Sequence, residues 1–362
     1  MNTTEEYIFE QHMRNINTKW ERFSQEIKQM QTADTFSILY ATDIHYIRKY
    51  AKYLPAYYKV KEMVDFSKYV GLDLLAITGD IVDGNSTINH QKRDLYDIIN
   101  LFRESKTTSV LISKGNHDDN SWYAYKQGLG AEAVISQDEW YSYVINPIRV
   151  QYPIVVDNDN ISGGYYYIDY PMQRIRVINL NTHDVPCITD KEGKLVKEYC
   201  GLWYFGIRSK QLEWLSKVLK FDEPGWGVMF MSHTLPVNNG NELMRNASLV
   251  WKIILAYKNR EKGVVKSTEK YFEAEVSFDY TNNKSNDVLP YLYGHIHEDR
   301  YDIVDDITTI GTVNILGRPE MPWDSLETKI DGGWDCILID RKNRILQSKR
   351  YGIESAYRKI YF

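Results

Sequence analysis

The chain has 362 residues, of which 43% are hydrophobic and 26% are charged, and this composition excludes a collagen-like or wholly disordered protein. Its 44 basic and 49 acidic residues give a net charge of −5, which argues against broad electrostatic binding to nucleic acid. No apolar stretch approaches the roughly 20 residues that a membrane span needs, so we expect no membrane contact.

The cysteines and the first residues both favour a cytoplasmic protein. Cys187, Cys200 and Cys336 are too few and too widely spaced for a disulfide framework, which favours a reducing compartment. The N-terminal residues lack the basic and apolar runs of a secretory signal. A place in a phage virion is the alternative, because virion proteins need no signal peptide.

Residues 1–33 are predicted to form an amphipathic helix. Thr3 and Glu6 have the spacing of a capping box at its start. The helix either docks on the domain that follows or pairs with another subunit of a homo-oligomer, and its bulky aromatic residues favour docking in a groove. The apolar stripe consists of Phe9, Met13, Ile16, Trp20, Phe23, Ile27 and Met30.

Residues 34–362 are predicted to form one α/β domain, because short apolar runs alternate with helical stretches. The aromatic segment 136–170 predicts loops and strand edges, the polar segment 259–288 predicts a surface insertion, and residues 301–362 predict C-terminal β-hairpins. The predicted strands are Phe36–Thr42, Leu72–Thr78, Ser109–Ser113, Arg174–Asn181, Gly227–Met231 and Leu289–Tyr293, and the predicted helices lie near residues 56–69, 89–104, 209–220 and 242–258.

Polar residues follow five of the predicted strands at the point where each strand ends. Because sites in open α/β sheets form beyond the carboxyl ends of strands, these residues can converge on one place. They offer carboxylate, amide and imidazole donors without thiolate, a set that suits Mn²⁺, Fe or Zn²⁺. The sequence therefore predicts a metal site. The candidate ligands are Asp43, His45, Asp80, Asn116, His233, His295 and His297.

Seven ligands are too many for one ion, but they are enough for two ions that share the Asp80 carboxylate. Two-metal sites activate water and stabilise both the entering and the leaving oxygen of an in-line displacement. His117 is not a metal ligand in this scheme, and we expect it to act as a general acid on the leaving group. Asp118, the next residue, is predicted to orient its imidazole.

Two further residues are weaker candidates for the substrate pocket. His183 follows the predicted strand Arg174–Asn181, and it either lines the pocket or lies in an ordinary loop. Arg48 comes soon after the first pair of ligands, and it either binds phosphate or is a surface charge.

The polar blocks resemble, in their order and spacing, those of calcineurin-like metallophosphoesterases, over roughly residues 36–300. The resemblance implies a metallo-dependent phosphatase-like α/β fold of four layers, in which two packed mixed β-sheets are flanked by helices. It also implies hydrolysis of phosphomonoesters or phosphodiesters with Mn²⁺, Fe or Zn²⁺. The blocks are Asp43-Ile44-His45, Gly79-Asp80, Gly115-Asn116-His117-Asp118, His233 and Gly294-His295-Ile296-His297.

The resemblance also implies a division of the ligands between two metals and a pair of catalytic residues. His117 would be the catalytic histidine, paired with Asp118. The first metal would be held by Asp43, His45, Asp80 and His297, and the second by Asp80, Asn116, His233 and His295.

We therefore expect a metallophosphoesterase in which a hydroxide that bridges two ions, with Mn²⁺ as first choice, attacks a phosphodiester or a small phosphomonoester. Nucleotides are among the candidate substrates. The alternatives are a DNA or RNA nuclease of the same superfamily, and a non-catalytic metal-binding scaffold or phage structural protein. Residues 334–352 resemble, more loosely, the end of phage-borne and Gram-positive bacterial members, whereas residues 353–358 depart from that ending.

Overall fold

A computed structural model describes residues 20–49, 54–201, 203–237, 244–315, 332–352 and 356–362 of the chain. The strands and helices predicted from the sequence are present, although several of their ends differ. The strands are β1 (Thr35–Ala41), β2 (Leu74–Ile77), β3 (Ser109–Ile112), β4 (Ile154–Val156), β5 (Tyr166–Tyr170), β6 (Ile175–Asn179), β7 (Phe205–Gly206), β8 (Gly227–Ser232), β9 (Met244–Arg245), β10 (Lys262–Ser267), β11 (Ala274–Asp279), β12 (Asp287–Val288), β13 (Tyr291–Tyr293), β14 (Arg300–Val304), β15 (Ile307–Gly311), β16 (Gly333–Asp340), β17 (Ile345–Gly352) and β18 (Tyr357–Tyr361). The α-helices are α1 (20–30), α2 (Leu54–Val70), α3 (Ile88–Arg103), α4 (Ser121–Lys126), α5 (Gln137–Trp140), α6 (Asn146–Arg149), α7 (Ser209–Val218) and α8 (Ala247–Asn259).

The first sheet has the strand order β18–β17–β16–β1–β2–β3 and joins the beginning of the domain to its end. Its strands β1, β2 and β3 run parallel, as expected for strands that are connected through helices α2 and α3. The C-terminal strands extend the sheet antiparallel on the other side of β1, where Ile38 lies opposite Ile337.

The second sheet has the order β14–β15–β13–β8–β6–β5–β4, with the short strand β12 also paired to β8. The central strands β15, β13, β8 and β6 run parallel, and antiparallel strands lie at both edges. Two smaller two-stranded sheets, β7–β9 and β10–β11, lie outside these two.

The two large sheets pack face to face, and helices cover their outer faces. Met229 of β8 belongs to the core between the sheets, whereas its neighbour Phe230 belongs to the core beneath α7 and α8. Helices α2 and α3 pack on the first sheet. The Tyr166 hydroxyl of β5 donates to the Ile112 carbonyl of β3, at 2.8 Å, and so joins the two sheets. These four layers, with two mixed sheets flanked by helices, confirm the predicted fold class.

Only the end of the predicted N-terminal helix falls among the described residues, as α1, and residues 1–19 lie outside them. Within α1, Phe23 and Ile27 are buried in the main core. The ring of Phe23 lies 5.5 Å, centroid to centroid, from the rings of both Phe66 and Trp334. The described part of the helix therefore packs on the domain. None of the described helices combines the length and the apolar character needed to cross a membrane.

The prediction of loops for the beginning of segment 136–170 is wrong, because residues 137–149 are helical. Ser136 forms a capping box with Glu139 at the start of α5, and a π-helical turn (Tyr141–Ile145) connects α5 to α6. Trp140, Val144 and Ile148 are buried at steps of four residues. The many aromatic residues of the segment obscured this helical period.

The segment 259–288, predicted as a surface insertion, forms the regular hairpin β10–β11, which lies outside the two large sheets. Val265, Val276 and Tyr280 are buried in the core beneath α7 and α8. The other face of each strand is exposed and mostly polar, although it includes Val264, so the average composition of the segment concealed its alternation.

Candidate metal centre

The candidate ligands lie just beyond the carboxyl ends of five strands from both large sheets. Strands β1, β2 and β3 are neighbours in the first sheet, and β8 and β13 are neighbours in the second. Because the sheets pack face to face with these ends on the same side, the loops after the five strands meet. The structure brings together all seven candidate ligands, in two groups that share a border.

The first group consists of Asp43, His45 and His297, whose ligand atoms all lie within 4.8 Å of one another. Asp43 Oδ1 lies 3.0 Å from His297 Nε2 and 3.8 Å from His45 Nε2. The other carboxylate oxygen of Asp43 accepts hydrogen bonds from the Thr42 hydroxyl and from the backbone N–H of His295. The Asp43 carboxylate is therefore held with one oxygen directed at the two imidazoles.

The second group consists of Asp80, His233 and His295, again with ligand atoms within 4.8 Å of one another. Asn116 joins this group, because its Oδ1 lies 2.8 Å from His233 Nε2. The ring of His295 is packed against Phe205, with 5.0 Å between the ring centroids.

Asp80 lies between the two groups. Its Oδ2 is 3.8 Å from His45 Nε2 in the first group and 3.3 Å from His233 Nε2 in the second. Its Oδ1 accepts the backbone N–H of His117 at 2.8 Å, which fixes the orientation of the carboxylate. One carboxylate oxygen therefore faces both groups, as a bridge between two cations requires.

The hydrogen bonds around His233 test whether a cation fits this donor set. His233 Nδ1 donates to the Thr78 carbonyl at 2.7 Å, so Nε2 is the nitrogen that faces the group. Unless His233 carries a second proton, its Nε2 lone pair and the Asn116 oxygen are two acceptors directed at each other. A second proton on His233 or a cation between the two atoms resolves this conflict. The residues fit a divalent metal because carboxylate, amide and imidazole donors, all of them metal-ligand types, converge on one point.

The pKa values of the site differ in direction from one histidine to the next. Burial, together with the charge of a protonated His117, lowers the pKa of His45 to about 3. Burial, together with the charge of a protonated His233, lowers the pKa of His295 to about 4. Both imidazoles are therefore neutral at pH 7, which is the form that binds metals. Although burial opposes it, the Asp80 carboxylate raises the pKa of His233 to about 9, so a metal that binds Nε2 would have to displace a proton from this imidazole.

Five of the seven candidate ligands have left-handed backbone conformations, which are uncommon for residues other than glycine. Such conformations cost free energy and persist where the surrounding structure imposes them, often at functional sites. They turn the backbone sharply at the end of each strand and so direct each side chain towards the two ligand groups. Their φ angles are 54° at Asp43, 47° at His45, 49° at Asp80, 72° at His295 and 54° at His297.

Gly115 is required for the close approach of two ligand loops. A Cβ atom at this position would overlap the carboxylate and the backbone nitrogen of Asp80. The loop that carries Asn116 can therefore lie directly against the Asp80 loop only because residue 115 has no side chain.

His117 lies at the edge of both groups, but its predicted pairing with Asp118 is wrong. His117 Nδ1 donates to the backbone carbonyl of Asp83 at 2.6 Å, and His117 Nε2 lies 4.0 Å from Asp80 Oδ2. The buried Asp118 carboxylate instead accepts backbone N–H groups of Gly115 and Ile81, and it secures the loops beneath the site.

Asp83 is the residue that sequence reasoning missed. Besides its bond to His117, it forms a third group of possible ligands with His45 and His117, in which its carboxylate lies 4.0 Å from His45 Nδ1. A second aspartate three residues after Asp80, followed by Gly84, was the available signal.

The two weaker pocket candidates lie in different environments. His183 is buried, and its Nε2 lies 2.9 Å from Asp119 Oδ2, so it presents no surface to a substrate. Arg48 is exposed, and its guanidinium donates to Asp97 of α3 at 3.2 Å. Because such a surface ion pair is weak, Arg48 as a phosphate-binding residue stays a prediction.

The centre is open to solvent on one side. Asp43, Asp80 and His233 are fully buried, whereas the side chains of His117 and His297 are 25% and 41% exposed. A ligand can therefore reach the two groups past His117 and His297, while the carboxylates stay in a region of low dielectric constant.

Comparison with known sequences identifies one matching family. A family model described as calcineurin-like phosphoesterase matches residues 36–299, which include all seven candidate ligands and His117. A comparison with curated proteins finds no match.

The fold is similar to that of a dimetal phosphatase from Danio rerio, with a TM-score of 0.56 and 14% sequence identity over 89% of this chain and 98% of that one. A protein of Thermus thermophilus has a TM-score of 0.42 and 11% identity, over 87% of this chain and 98% of that one. A purple acid phosphatase from yellow lupin (Lupinus luteus) seeds has a TM-score of 0.43 and 12% identity, over 88% of this chain and 51% of that one.

Proposed function

Since this chain belongs to the calcineurin-like phosphoesterase family, and is therefore a hydrolase of phosphoric esters, we propose that it cleaves a phosphodiester or a small phosphomonoester at a centre of two divalent cations. Mn²⁺ is the first choice of metal, and nucleotides are among the candidate substrates. The observation that carries the proposal is the position of Asp80 Oδ2, within 4 Å of a histidine of each ligand group.

The donor set divides naturally between two cations. Such cations, when bound, supply activation of water and neutralisation of the phosphoryl oxygens. The buried carboxylates Asp43 and Asp80 would compensate their charge. One cation would be held by Asp43, His45, Asp80 and His297, and the other by Asp80, Asn116, His233 and His295.

His117 is the residue proposed to move a proton. Because Nδ1 donates to the Asp83 carbonyl, Nε2 is the nitrogen that faces the cluster, 4.0 Å from Asp80 Oδ2. A proton on Nε2 can pass to the oxygen of the leaving group as the ester bond breaks. The partial exposure of His117 places it on the side from which a substrate enters.

The test is a screen of the purified chain with Mn²⁺ against p-nitrophenyl phosphate, bis-p-nitrophenyl phosphate, nucleotides, cyclic nucleotides, and single- and double-stranded DNA. We expect turnover of at least one small ester, and none after chelation of the metal. Asp65→Ala, at an exposed carboxylate of α2 that pairs with Lys61, is the matched control and keeps wild-type turnover. A folded protein that binds two ions and hydrolyses no ester would contradict the proposal and favour a scaffold.

The proposal also includes the cellular compartment, the limits of the domains and the source organism of the protein. Three free cysteines support the cytoplasm, because unpaired thiols suit a reducing compartment. The packing of Phe23 and Ile27 on the core supports a docked helix at 1–33 followed by one domain at 34–362. An origin in a phage or a Gram-positive bacterium is supported only by the looser resemblance of residues 334–352.

A further inference from the structure

Three charged or titratable side chains are buried behind the second ligand group. Lys114 follows β3, Asp119 lies five residues further along the same loop, and His183 comes from the loop after β6 in the other sheet. The exposed fraction is 3% for Lys114, 7% for Asp119 and 1% for His183.

Asp119 connects the other two residues. Its Oδ2 lies 2.9 Å from His183 Nε2 and 3.5 Å from Lys114 Nζ, and its Oδ1 accepts the backbone N–H of Ser121 at 2.9 Å. Although burial opposes it, Lys114 and His183 hold the pKa of Asp119 well below its usual value. The three groups therefore form one buried, charge-compensated network.

The network closes the loop that carries Asn116 and His117. Lys114 and Asp119 lie at the two ends of segment 115–118, so their ion pair ties its beginning to its end. His183 then anchors Asp119 to the second sheet, from which the ligands His233 and His295 come.

Two packing contacts connect the network to the second ligand group. A Cβ atom at Gly201 would overlap the Asn116 carbonyl oxygen and lie 3.1 Å from His183 Nε2, so His183 and the Asn116 backbone approach each other closely across this glycine. The ring of Phe205 contacts both His183 and His295, with centroid distances of 6.1 Å and 5.0 Å.

We propose that Lys114, Asp119 and His183 are positioning residues that hold segment 115–118. They keep the side-chain oxygen of Asn116, Oδ1, against His233 in the second ligand group. The inference rests on the proposed function, because it assigns these residues to the support of one of the two cation sites. They contact neither the substrate nor a cation. Groups that support metal ligands in this way affect metal affinity and activity by roughly 10- to 100-fold.

The test is a calorimetric titration of the metal-free protein with Mn²⁺, for wild type, His183→Leu and His183→Gln. Glutamine retains an N–H donor near the position of Nε2 and omits Nδ1, which has no hydrogen-bond partner among the described residues. Leucine fills a similar volume without a donor. We expect His183→Leu to weaken one of two binding events by about 10- to 100-fold, and His183→Gln to resemble wild type.

Kinetics on the small ester found in the screen give a second measurement. His183→Leu should lower kcat with little change in KM, because His183 lies behind the centre and does not touch the substrate. The matched control is His90→Leu. His90 lies on α3, its Nδ1 bonds to the nearby Thr87 hydroxyl at 2.9 Å, and the variant should bind metal and turn over as wild type does.

The outcomes separate this inference from the proposed function. Three results would overturn the positioning role alone. In the first, His183→Leu binds Mn²⁺ at both sites as tightly as wild type does. In the second, it weakens both sites equally, and in the third, His183→Gln binds as weakly as His183→Leu. A wild type that takes up fewer than two ions would overturn the proposed function and this inference with it. If His183→Leu does not fold, Lys114→Met carries the same test, because it leaves the Asp119–His183 bond in place and should weaken the same single site.

Discussion

Asp80 is the residue on which both ligand groups depend, because its Oδ2 faces a histidine of each. We predict that Asp80→Ala loses both metal ions, whereas a ligand of one group alone would lose one. Elemental analysis of the purified variant measures this directly, with Asp65→Ala as the control that keeps both ions. Retention of two tightly bound ions by Asp80→Ala would show that the carboxylate does not bridge.

In the proposed function the side chain of His117 transfers a proton, while its backbone N–H donates to the Asp80 carboxylate. We predict that His117→Ala keeps both metals and loses turnover by about 10²- to 10⁴-fold. The loss should be smaller for a p-nitrophenyl ester than for an alkyl ester, because p-nitrophenolate leaves without a proton. Equal losses for the two esters would argue against a general acid at this position.

At the scale of single residues, the types and order of the ligands were predictable, but the partner of His117 was not. Asp118 is the nearest carboxylate in sequence, yet its oxygens point to the backbone of Gly115 and Ile81. Asp83 reaches His117 because the loops after β2 and β3 lie side by side. A hydrogen-bond partner from another loop is not visible in local spacing.

At the scale of elements, strand β17 supports the loop of His295 and His297. Arg350 of β17 is buried and pairs with Asp335 of β16 and with Asp299, two residues after His297. Removing one partner leaves buried charge without compensation, so we predict that Arg350→Leu lowers the free energy of unfolding by about 3–5 kcal/mol. Urea denaturation measures this change.

A second variant distinguishes the lost ion pair from lost packing at this position. Arg350→Leu/Asp335→Leu removes both members of the most buried pair and should recover much of the stability, since apolar pairs can replace buried ion pairs. If the double variant were as unstable as the single one, the loss in free energy of unfolding would come from packing and not from the unpaired charge.

The N-terminal helix gives a prediction that separates docking from oligomerisation. Ile27 of α1 is fully buried in the main core of its own chain. We predict that Ile27→Ala lowers the free energy of unfolding by about 2–5 kcal/mol without changing the mass of the particle in light scattering. Dissociation of an oligomer at unchanged stability would favour the pairing of this helix with another subunit.

At the scale of the whole molecule, the centre lies where the two sheets meet, so cations bound there would join them. A ligand that binds only the folded state stabilises it, by about 2.7 kcal/mol when its free concentration is about 100 times Kd. We predict that Mn²⁺ raises the Tm of the metal-free protein and that Asp80→Ala abolishes the rise. An equal rise in both proteins would place the stabilising ion elsewhere.

The sequence by itself predicted the strands that lead into the site and the candidate ligands after them, and its family resemblance indicated the kind of chemistry. Apolar runs mark buried strands, and the polar residues directly after them mark the edge where strands end. These signals are local, because a strand end and its ligand lie within a few residues of each other. This is why Asp43, Asp80, Asn116 and His233 could all be identified before the fold was known.

Only the tertiary structure decided which loops touch and what each polar group binds. β1 pairs with β16 from the far end of the domain, and His183 bonds to Asp119 from the other sheet, so neither contact has a local signal. The helices at 137–149 and the hairpin β10–β11 were missed for a related reason: their apolar faces are short and become evident only against the surfaces that cover them. Packing across the sheets, rather than local pattern, brings the candidate ligands into two groups that both face the Asp80 carboxylate.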